Sequence, residues 1–452
     1  MLCVDVGSTF TKAALVDADD GTLLAVAAHP TTLRTDVLDG VAAVRAEAEG
    51  RAGACAAEVL ACSSAGGGLR IAVVGYERVV TAEAAYRVAL TAGGRVVHVQ
   101  AGELDAAGLA ALRATRPDVV LLVGGTDGGN ADVVLHNARR LAAARVRMPI
   151  VYAGNAEAAD AAREQLLARD RHVTVAANVL PRIGVLDPLP ARSAIREVFL
   201  RHVIGGKGLS RGPAFARMVR AATPDVVLAG VEVLADGAPG VPGVGDVIVV
   251  DVGGATTDVY SVVTPDGEEA GLHRDVVETL WRARTVEGDL GMRWSAPGVV
   301  AAAQAERLLD EATGADAVAG LRAYAGRAAA DPAMIPAGPA EVADDTALAR
   351  LALTVALRRH ARPATANAAP RPLRDVGLVV GSGGVLRHGS DAVRREVLGP
   401  AVGDHAGGWK VPEHAEIAVD ERYVLFAAGL LALHAPVAAA RLATSGLVRL
   451  ER

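Results

Sequence analysis

Cysteine is scarce in this sequence, and its scarcity limits the chemistry that the chain can support. The 452 residues include three cysteines, Cys3, Cys55 and Cys62, an odd number without the paired spacing of zinc ligands. A structural zinc site is therefore not expected, and free thiols are typical of a reducing compartment. The N-terminus also lacks the basic segment and cleavable apolar core of a secretion signal. We expect a cytoplasmic protein.

Positive charge and long apolar runs are also in short supply. The formal net charge is -6, which gives no basic footprint of the kind that nucleic-acid binding requires. The longest apolar stretch, residues 423–443, is interrupted by His434 and Pro436, so it predicts a buried helix rather than a membrane span. Nearly all basic residues are arginine, so each lysine is an exception in this composition. The three lysines are Lys12, Lys207 and Lys410.

The sequence does contain an internal repeat. Residues 4–16 match residues 250–262 at a constant offset of 246, and the Asp-Gly pairs at 20–21 and 266–267 keep the same offset. Each copy has an apolar strand ending in an aspartate, a tight turn of small residues and a second strand rich in Thr and Val. The Asp-Gly pair then leads to a third strand. The repeat predicts two equivalent meanders of two hairpins each, one in each half of the chain.

A phosphate ligand shared by the two copies explains why they are alike. Small turn residues let backbone N–H groups approach an anion, and side-chain hydroxyls add donors. A buried carboxylate beside phosphates is repulsive unless a cation lies between them, so Asp5 and Asp251 predict catalytic Mg²⁺ held largely through water. The predicted phosphate-binding residues are Gly7, Ser8, Thr9, Thr11 and Lys12 in the first copy and Gly253, Gly254, Ala255, Thr256, Thr257 and Asp258 in the second.

These motifs resemble the two phosphate motifs of the actin, sugar-kinase and DnaK-type ATPases, with residues 5–9 as the first and 251–258 as the second. The resemblance implies an α/β fold with a duplicated actin-like ATPase core of the ribonuclease H-like type, which binds ATP and Mg²⁺. The third motif of this fold contacts the adenosine and consists of an apolar strand before a Gly-rich turn. Residues 376–385 fit this pattern. A helix that begins there would direct its N-terminus at the α-phosphate. The predicted adenosine-binding residues are Gly381, Ser382, Gly383 and Gly384.

Strand-like and helix-like segments alternate between the two hairpins, a pattern typical of a parallel sheet with right-handed crossovers. We interpret residues 66–190 as an inserted α/β domain that follows the first half of the core, residues 1–65. Connecting helices are predicted at 191–245, and the second half of the core at 246–452. The insert has a Gly-rich turn at 124–130, which predicts either an anion site or a tight βα turn at one edge of the sheet.

Two charged residues near glycine-rich turns are further candidates. In DnaK-like proteins the turn equivalent to residues 287–291 lies beside the nucleotide, so Glu287, or Asp289, could hold the attacking water. Glu287 is therefore the third predicted catalytic residue, and the alternative is an acidic N-cap for the following helix. Lys207 lies among three glycines. It either contacts phosphate or a partner, or it is a solvated lysine at a helix C-terminus.

Most of the chain resembles one subfamily, the glutamate mutase-associated MutL-type proteins, which are unrelated to the mismatch-repair protein of that name. This resemblance implies a slow, chaperone-like ATPase that reactivates an adenosylcobalamin-dependent mutase by exchanging its damaged cofactor. The mutase is then the protein partner, and a homodimer is compatible with this role. The segments that carry the resemblance are 4–16, 63–69, 117–130, 152–156, 177–181, 246–262 and 285–293.

Three other functions stay open on the sequence. A small-molecule kinase of the same fold needs a catalytic aspartate in a substrate pocket, and no clear candidate stands out. A hydantoinase- or acetone-carboxylase-type subunit usually relies on metal-binding His and Asp residues, but the 11 histidines are scattered without ligand spacing. A scaffold or filament protein would bind nucleotide structurally, and Asp251 and Asp258 argue against it. The cobalamin-binding signature Asp-x-His-x-x-Gly is absent.

Overall fold

The computed structural model describes residues 1–65, 68–76, 81–144, 146–264, 282–309, 314–363 and 371–451. The N-terminal residues form a meander, a helix and a fourth strand. The helix begins where the Asp36 side chain accepts a hydrogen bond from the Leu38 N–H, and it ends at Gly53, whose φ of 63° is left-handed. These elements are β1 (Leu2–Val6), β2 (Phe10–Val16), β3 (Leu23–Pro30), α1 (Val37–Ala52) and β4 (Val59–Ser63).

The next segment alternates strands and helices, as the sequence pattern predicts. Its strands are short and rich in Val, Ile and Leu, which suits a parallel sheet that is covered on both faces. Its elements are β5 (Leu69–Gly75), α2 (Thr81–Thr91), β6 (Gly94–Ala101), α3 (Ala106–Ala114), β7 (Val119–Leu122), α4 (Asp132–Ala143), β8 (Ile150–Tyr152), α5 (Ala159–Leu167) and β9 (Val173–Val175).

A helical connection returns the chain from the insert to the first sheet. It includes a π-helical turn at Phe199–Val203 and a 3-10 turn at Gly205–Lys207. The elements of this part are α6 (Leu189–Val198), α7 (Pro213–Met218), β10 (Val219–Ala222), α8 (Thr223–Asp236), β11 (Gly237–Ala238) and β12 (Val241–Pro242).

The second half of the chain repeats the meander and adds helices. A Gly-rich turn joins its fourth strand to a short helix. The elements are β13 (Val247–Val252), β14 (Thr257–Val262), β15 (Arg282–Glu287), α9 (Ala296–Ala305), α10 (Ala315–Ala330), α11 (Pro339–Ala361), β16 (Leu378–Ser382), α12 (Gly384–His388), α13 (Asp391–Leu398), β17 (Glu416–Val419), α14 (Leu425–Leu431), α15 (Pro436–Ser445) and β18 (Val448–Leu450).

The two large sheets have the same topology. The first has the order β3-β2-β1-β4-β10 and the second the order β15-β14-β13-β16-β17, with β18 added at its edge. In both, the first three strands are antiparallel and the next two are parallel to the first. The hairpin registers also agree: Val6 faces Thr11, and Val252 faces Thr257. The predicted duplicated core is confirmed, and the offset of 246 holds through the first hairpin of each copy.

The insert is a five-stranded parallel sheet of order β6-β5-β7-β8-β9. It leaves the first sheet after β4 and shares a hydrophobic cluster with it, in which Val4 and Leu15 of the core occur together with Ile71 and Val119 of the insert. A second cluster covers the other face of the insert's sheet and includes Tyr152. The insert therefore packs as part of the first half rather than as a tethered module.

Two helices join the halves by crossing at a pair of glycines. A Cβ on Gly230 of α8 would lie 1.9 Å from the Leu425 carbonyl oxygen, and a Cβ on Gly429 of α14 would lie 1.9 Å from the Val226 oxygen. The contact is reciprocal, because each glycine meets the carbonyl that lies four residues before the other. The hydrophobic cluster around this crossing draws residues from both large sheets.

Two expectations differ from the structure, and a third falls on residues outside its described part. The segment predicted as connecting helices also contains β10, because four residues are too few for periodicity to distinguish a strand from a helix. The predicted single helix at 423–443 is the pair α14 and α15, broken before Pro436, which has no N–H to continue a helix. The second Asp-Gly turn, residues 266–267, lies outside the described residues.

None of the helices in the described part of the chain combines the length and apolarity that a bilayer crossing requires. This includes α14 and α15, which divide the apolar stretch near the C-terminus into two short pieces.

Candidate nucleotide site

The two turns predicted to bind phosphate have the same backbone geometry. Gly7 N–H donates to the Phe10 carbonyl at 3.0 Å, and Gly253 N–H donates to the Thr256 carbonyl at 2.9 Å. A Cβ on either glycine would lie 2.8 Å from that carbonyl oxygen, so each turn is too tight for a side chain there. The tips of the turns are exposed, which puts their backbone N–H groups within reach of an anion. The tip residues are Ser8, Thr9, Gly254 and Ala255.

Asp5 ends β1 as a buried carboxylate with partners inside the protein. Its Oδ1 accepts hydrogen bonds from the Thr223 hydroxyl at 2.6 Å and from the Cys62 thiol at 3.6 Å. Its Oδ2 accepts one from the Tyr423 hydroxyl at 3.2 Å. The partners come from β4, from the start of α8 and from the turn before α14. Asp5 is therefore fixed by three separate parts of the fold.

Asp251 has the equivalent position in β13, but no hydrogen bond from any described residue reaches its carboxylate. Burial raises the pKa of Asp251 to about 6; the Lys12 ammonium opposes this rise and the Asp258 carboxylate adds to it. A carboxylate that lacks donors in a cleft favours either protonation or a bound cation. The site is thus electrostatically suited to a metal ion.

Lys12 and Tyr423 lie between the two aspartates. Lys12 Nζ is 3.8 Å from the centroid of the Tyr423 ring, and the hydroxyl of the same ring donates to Asp5. In the β1–β2 ladder Lys12 faces Asp5, while its charge also lowers the pKa of Asp251. The structure therefore brings Asp5, Lys12 and Asp251 together at one cleft between the halves.

Ser382 adds a second unsatisfied polar group beside Asp251. The two residues are Cα partners in the parallel β13–β16 pair. Ser382 is 3% exposed, and its Oγ has no hydrogen-bond partner among the described residues. A buried hydroxyl without a partner costs free energy, so its presence in a folded protein requires an explanation. A ligand that enters the cleft would supply the missing partner.

The glycines of the third motif have different roles. A Cβ on Gly381 would collide with the Leu386 and Leu398 side chains, and a Cβ on Gly383, whose φ is 103°, would lie 2.2 Å from the Val252 carbonyl oxygen. Both glycines therefore allow close packing of β16. Gly384 begins α12, and no described atom lies within 4 Å of a Cβ placed there. Of the three glycines Gly381, Gly383 and Gly384, only Gly384 faces open space.

Thr11 and Thr257, equivalent in the two copies, direct their hydroxyls into the protein. Thr11 Oγ1 is 3.2 Å from Thr31 Oγ1, and Thr257 Oγ1 donates to the Leu290 carbonyl at 2.5 Å. Both residues are fully buried. These bonds attach the second strand of each meander to a neighbouring segment, and a direct phosphate contact, as predicted for both residues, would require them to break.

Asp258 takes part in a buried network that extends beyond the cleft. Its Oδ2 accepts a hydrogen bond from the Thr256 hydroxyl at 3.0 Å, and its Oδ1 is 2.5 Å from an Arg284 guanidinium nitrogen. Arg284 Nη1 in turn donates to the carbonyls of Leu90 and Gly94, each at 3.1 Å. These two carbonyls belong to the insert. Arg284 therefore connects the second phosphate hairpin directly to the inserted sheet.

Glu287 lies at the end of β15, opposite Thr257. Its carboxylate is 2.8 Å from an Arg359 guanidinium nitrogen, and Arg359 also contacts both oxygens of Asp289. Burial raises the pKa of Glu287, although Arg359 opposes the rise. The side chain is thus positioned by an arginine near the second hairpin. A role in holding water stays a prediction.

Sequence reasoning missed several residues of the cleft. Asp420 directly follows β17, and its carboxylate accepts hydrogen bonds from the N–H groups of Val424 and Leu425, so it caps α14. A strand-end aspartate, the same signal as in the repeat, could have identified it. Tyr423 has a φ of 54°, uncommon for a bulky residue, but nothing local in the sequence indicates its position.

The donor set fits a hydrated magnesium ion. Among the described residues there is no group of three or more His, Cys, Asp or Glu side chains that could hold a metal by themselves. Mg²⁺ typically keeps several waters and binds one or two carboxylates together with substrate phosphates. Asp251, which accepts no hydrogen bond from a described residue, and the exposed turns provide that combination. The described residues offer no set of side chains that would surround a metal ion without such additional ligands.

Two sheets of identical strand order, each with a glycine turn beside a strand-end aspartate, define a protein with the duplicated, ribonuclease H-like core of the actin-like ATPase fold. More particularly, the chain belongs to the MutL protein family, whose profile matches residues 1–447. Protein MutL of Clostridium tetanomorphum is 35% identical over 466 residues, which cover 99% of each chain. The family predicted by the sequence motifs is confirmed.

Solved structures with distant similarity include two kinases. The ROK hexokinase from Thermus thermophilus is 13% identical with a TM-score of 0.28, and the match covers 98% of this chain and 97% of that one. The xylulose kinase from Bifidobacterium adolescentis is also 13% identical with a TM-score of 0.30, covering 98% and 93%. The fold assignment therefore depends on the strand order and registers described above.

Proposed function

We propose that this protein hydrolyses ATP slowly in the cleft between its halves, and that the ATP cycle reactivates an adenosylcobalamin-dependent mutase such as glutamate mutase. The observation that carries the ATPase part is the pair of matched turns around one cleft in which no described residue donates a hydrogen bond to Asp251. The mutase is proposed from membership of the MutL family. Exchange of damaged cobalamin is the form of reactivation that the resemblance implies.

The residues of the cleft divide the work of binding and hydrolysis. The backbone N–H groups of the two turn tips bind phosphate oxygens, and Lys12 supplies positive charge between the halves. Asp251 would hold a bound metal ion, and Asp5, fixed by its three donors, would orient water near that ion. Mg²⁺, when bound, neutralises phosphate charge and polarises the bond to be cleaved. Glu287, positioned by Arg359, holds the attacking water.

The insert is the part of the chain that we propose to act on the mutase. Arg284 ties Asp258 of the second hairpin to Leu90 and Gly94 of the insert, so a movement at the phosphate turn has a direct physical route to the inserted sheet. Coupling also requires that ATP and ADP differ in their affinity for two alternative conformations of the protein. Arg284→Gln removes the guanidinium group that makes these contacts. The substitution should therefore reduce reactivation more than it reduces ATP hydrolysis.

Deletion of residues 66–190 cannot test the insert cleanly. Ile71, Val73 and Val119 share a hydrophobic cluster with β1 and β2, and their removal would expose apolar surface of the core. A point substitution at the connection to the insert leaves the residues of this hydrophobic cluster in place. The Arg284 substitution is therefore the better experiment.

The test combines two assays on the purified full-length chain. Phosphate release from Mg–ATP is measured first. Recovery of activity is then followed for a glutamate mutase loaded with hydroxocobalamin, after addition of adenosylcobalamin with or without ATP. We expect ADP and inorganic phosphate, and ATP-dependent recovery that Asp251→Asn abolishes. A phosphorylated metabolite formed in step with ADP would instead identify a kinase. Recovery that is equal with Asp251→Asn or without ATP would exclude ATP-driven reactivation.

A further inference from the structure

A basic cavity lies away from the nucleotide cleft, at the amino-terminal ends of β7 and β8 in the insert. Its volume is about 560 Å³, within the usual range for a small-molecule site. The loops that precede these two strands form one side, and the segment at 202–207, with its π-helical and 3-10 turns, forms the other. The cavity therefore lies where the insert meets the helical connection back to the core.

The charge of this cavity is opposite to that of the whole chain. Arg113, Arg116, Arg147 and Lys207 line it, against one carboxylate, Asp118, whereas the chain has a net charge of -6. Asp118 is already engaged, because its Oδ2 is 3.0 Å from Lys207 Nζ and accepts the Arg70 N–H at 2.9 Å. The lining therefore has a surplus of positive charge.

Two of the arginines have no partner among the described residues. Within the described residues, neither the Arg116 nor the Arg147 guanidinium makes a hydrogen bond or an ion pair. Arg116 also has a φ of 45°, a left-handed backbone that is uncommon for a residue other than glycine. Arginine is the side chain best suited to grip phosphate or carboxylate groups in a planar, bidentate manner. Two guanidinium groups at one cavity, both exposed, therefore have donors available to an anion.

His202 and several apolar side chains complete the lining. The His202 ring lies 4.9 Å from the ring of His172, and burial lowers the pKa of His202, with the neighbouring His172 and Arg201 adding to the effect. Met148, Val203 and Pro149 give the cavity an apolar wall. The combination suits a ligand with an anionic group and an apolar body rather than a bare inorganic ion.

We propose that this cavity is a second ligand site, which binds a small organic anion through its phosphate or carboxylate groups. Arg116 and Arg147 hold the anionic group, and Met148 and Val203 contact the apolar part. A ligand here would bridge the insert and the helical connection at 199–207, which contains Lys207. The site is separate from the nucleotide cleft and does not depend on the function proposed above.

Histidine NMR on the full-length protein tests the proposal, because each site has its own reporter. His202 lines the basic cavity, whereas His388 ends α12 in the nucleotide cleft near Lys12 and Arg387. Phenyl phosphate serves as the phosphate probe and phenylacetate as the carboxylate probe, and His202→Gln assigns the resonance. We expect saturable shifts of the His202 resonance and a rise in its pKa, because a bound anion favours the charged ring.

Matched arginine substitutions distinguish specific binding in this cavity from general electrostatic attraction of anions to the surface. Arg116→Gln combined with Arg147→Gln should raise the Kd read from His202 by about tenfold or more, the loss expected for charge-assisted hydrogen bonds. Arg163→Gln, an exposed residue of α5 in the same insert, should leave it unchanged. A His202 resonance that neither probe moves, or equal losses in the double variant and the control, would overturn the proposal. Shifts confined to His388 would report the nucleotide cleft alone and also overturn it.

Discussion

Asp5 and Asp251 occupy equivalent positions at the ends of β1 and β13, but the fold surrounds them differently. The Asp5 carboxylate accepts hydrogen bonds from Thr223, Tyr423 and Cys62, whereas no described residue donates to Asp251. Charged groups that are buried without partners destabilise a fold, and proteins retain them where function requires them. The two aspartates should therefore respond in opposite ways to the same substitution.

Asp251→Asn should stabilise the protein at neutral pH while it abolishes ATP hydrolysis. Folded Asp251 holds its proton up to about pH 6, but the unfolded chain releases it near 3.8. Between these values the folded state binds more protons, so the free energy of unfolding falls as pH rises through this window. The free energy of unfolding of the variant does not fall in this window. At pH 7 it should therefore exceed that of the unsubstituted protein by about 1–3 kcal/mol. Denaturant unfolding at pH 4 and pH 7, without nucleotide or Mg²⁺, measures the difference.

The matched control is Asp5→Asn. An amide cannot accept all the hydrogen bonds that the Asp5 carboxylate receives, so a buried donor would lose its partner. We expect a loss of about 1–3 kcal/mol in the free energy of unfolding. If both variants change stability in the same direction, the two carboxylates are not held as described. A variant at Asp251 that gains stability at pH 4 as much as at pH 7 would contradict the role of ionisation.

Among the elements, the turn from β16 to α12 determines where a nucleoside can lie. Gly383 packs against the backbone of β13, and Gly384, one residue later, faces open space. The short helix α12 begins at this second glycine. The same bulky side chain placed at these two neighbouring positions should therefore produce two different defects.

Gly384→Val should weaken ATP binding by about tenfold or more and leave stability within about 0.5 kcal/mol, because its side chain enters the space expected for the nucleoside. Pyrophosphate binding, measured by calorimetry, should be unchanged. Gly383→Val should instead lower the free energy of unfolding by about 1–3 kcal/mol, since φ is 103° and a Cβ would meet the Val252 carbonyl. Equal losses of ATP and pyrophosphate in Gly384→Val would remove Gly384 from the nucleoside site.

At the scale of the whole molecule, the crossing of α8 and α14 connects the two halves. Each helix follows the fifth strand of its own sheet, and Gly230 and Gly429 allow the two backbones to touch. The surrounding cluster contains residues of both sheets, including Val249 and Leu60. Interiors at this packing density cannot accept an added methyl group without a shift of the backbone.

Gly429→Ala should lower the free energy of unfolding by about 1–3 kcal/mol, because its Cβ would lie 1.9 Å from the Val226 carbonyl oxygen. Gly326→Ala in α10 is the control. No described atom surrounds that position, so the exchange should raise stability by about 0.5–1 kcal/mol through helix propensity alone. Thermal or denaturant unfolding of the two variants, both Gly→Ala within helices, decides the matter. A stabilised Gly429→Ala would show that the crossing is not tight.

The sequence by itself determined the features that depend on neighbouring residues. The offset of 246 between the meanders, the Gly-rich turns, the alternating strands and helices of the insert and the family all follow from local patterns. Periodicity and turn chemistry are properties of short segments, so a sequence displays them directly. For this reason Asp5, Asp251 and the third motif could be named before any coordinates.

Tertiary structure decided what those residues contact. Thr223 and Tyr423 contact Asp5 from positions 218 and 418 residues away. Arg284 of β15 contacts the carbonyls of Leu90 and Gly94 in the insert. Such partners are selected by the packing of whole sheets and helices, which no local pattern encodes. The same packing turned the hydroxyls of Thr11 and Thr257 inward and left Asp251 without a donor among the described residues, because two nearly identical hairpins lie in halves with different neighbours.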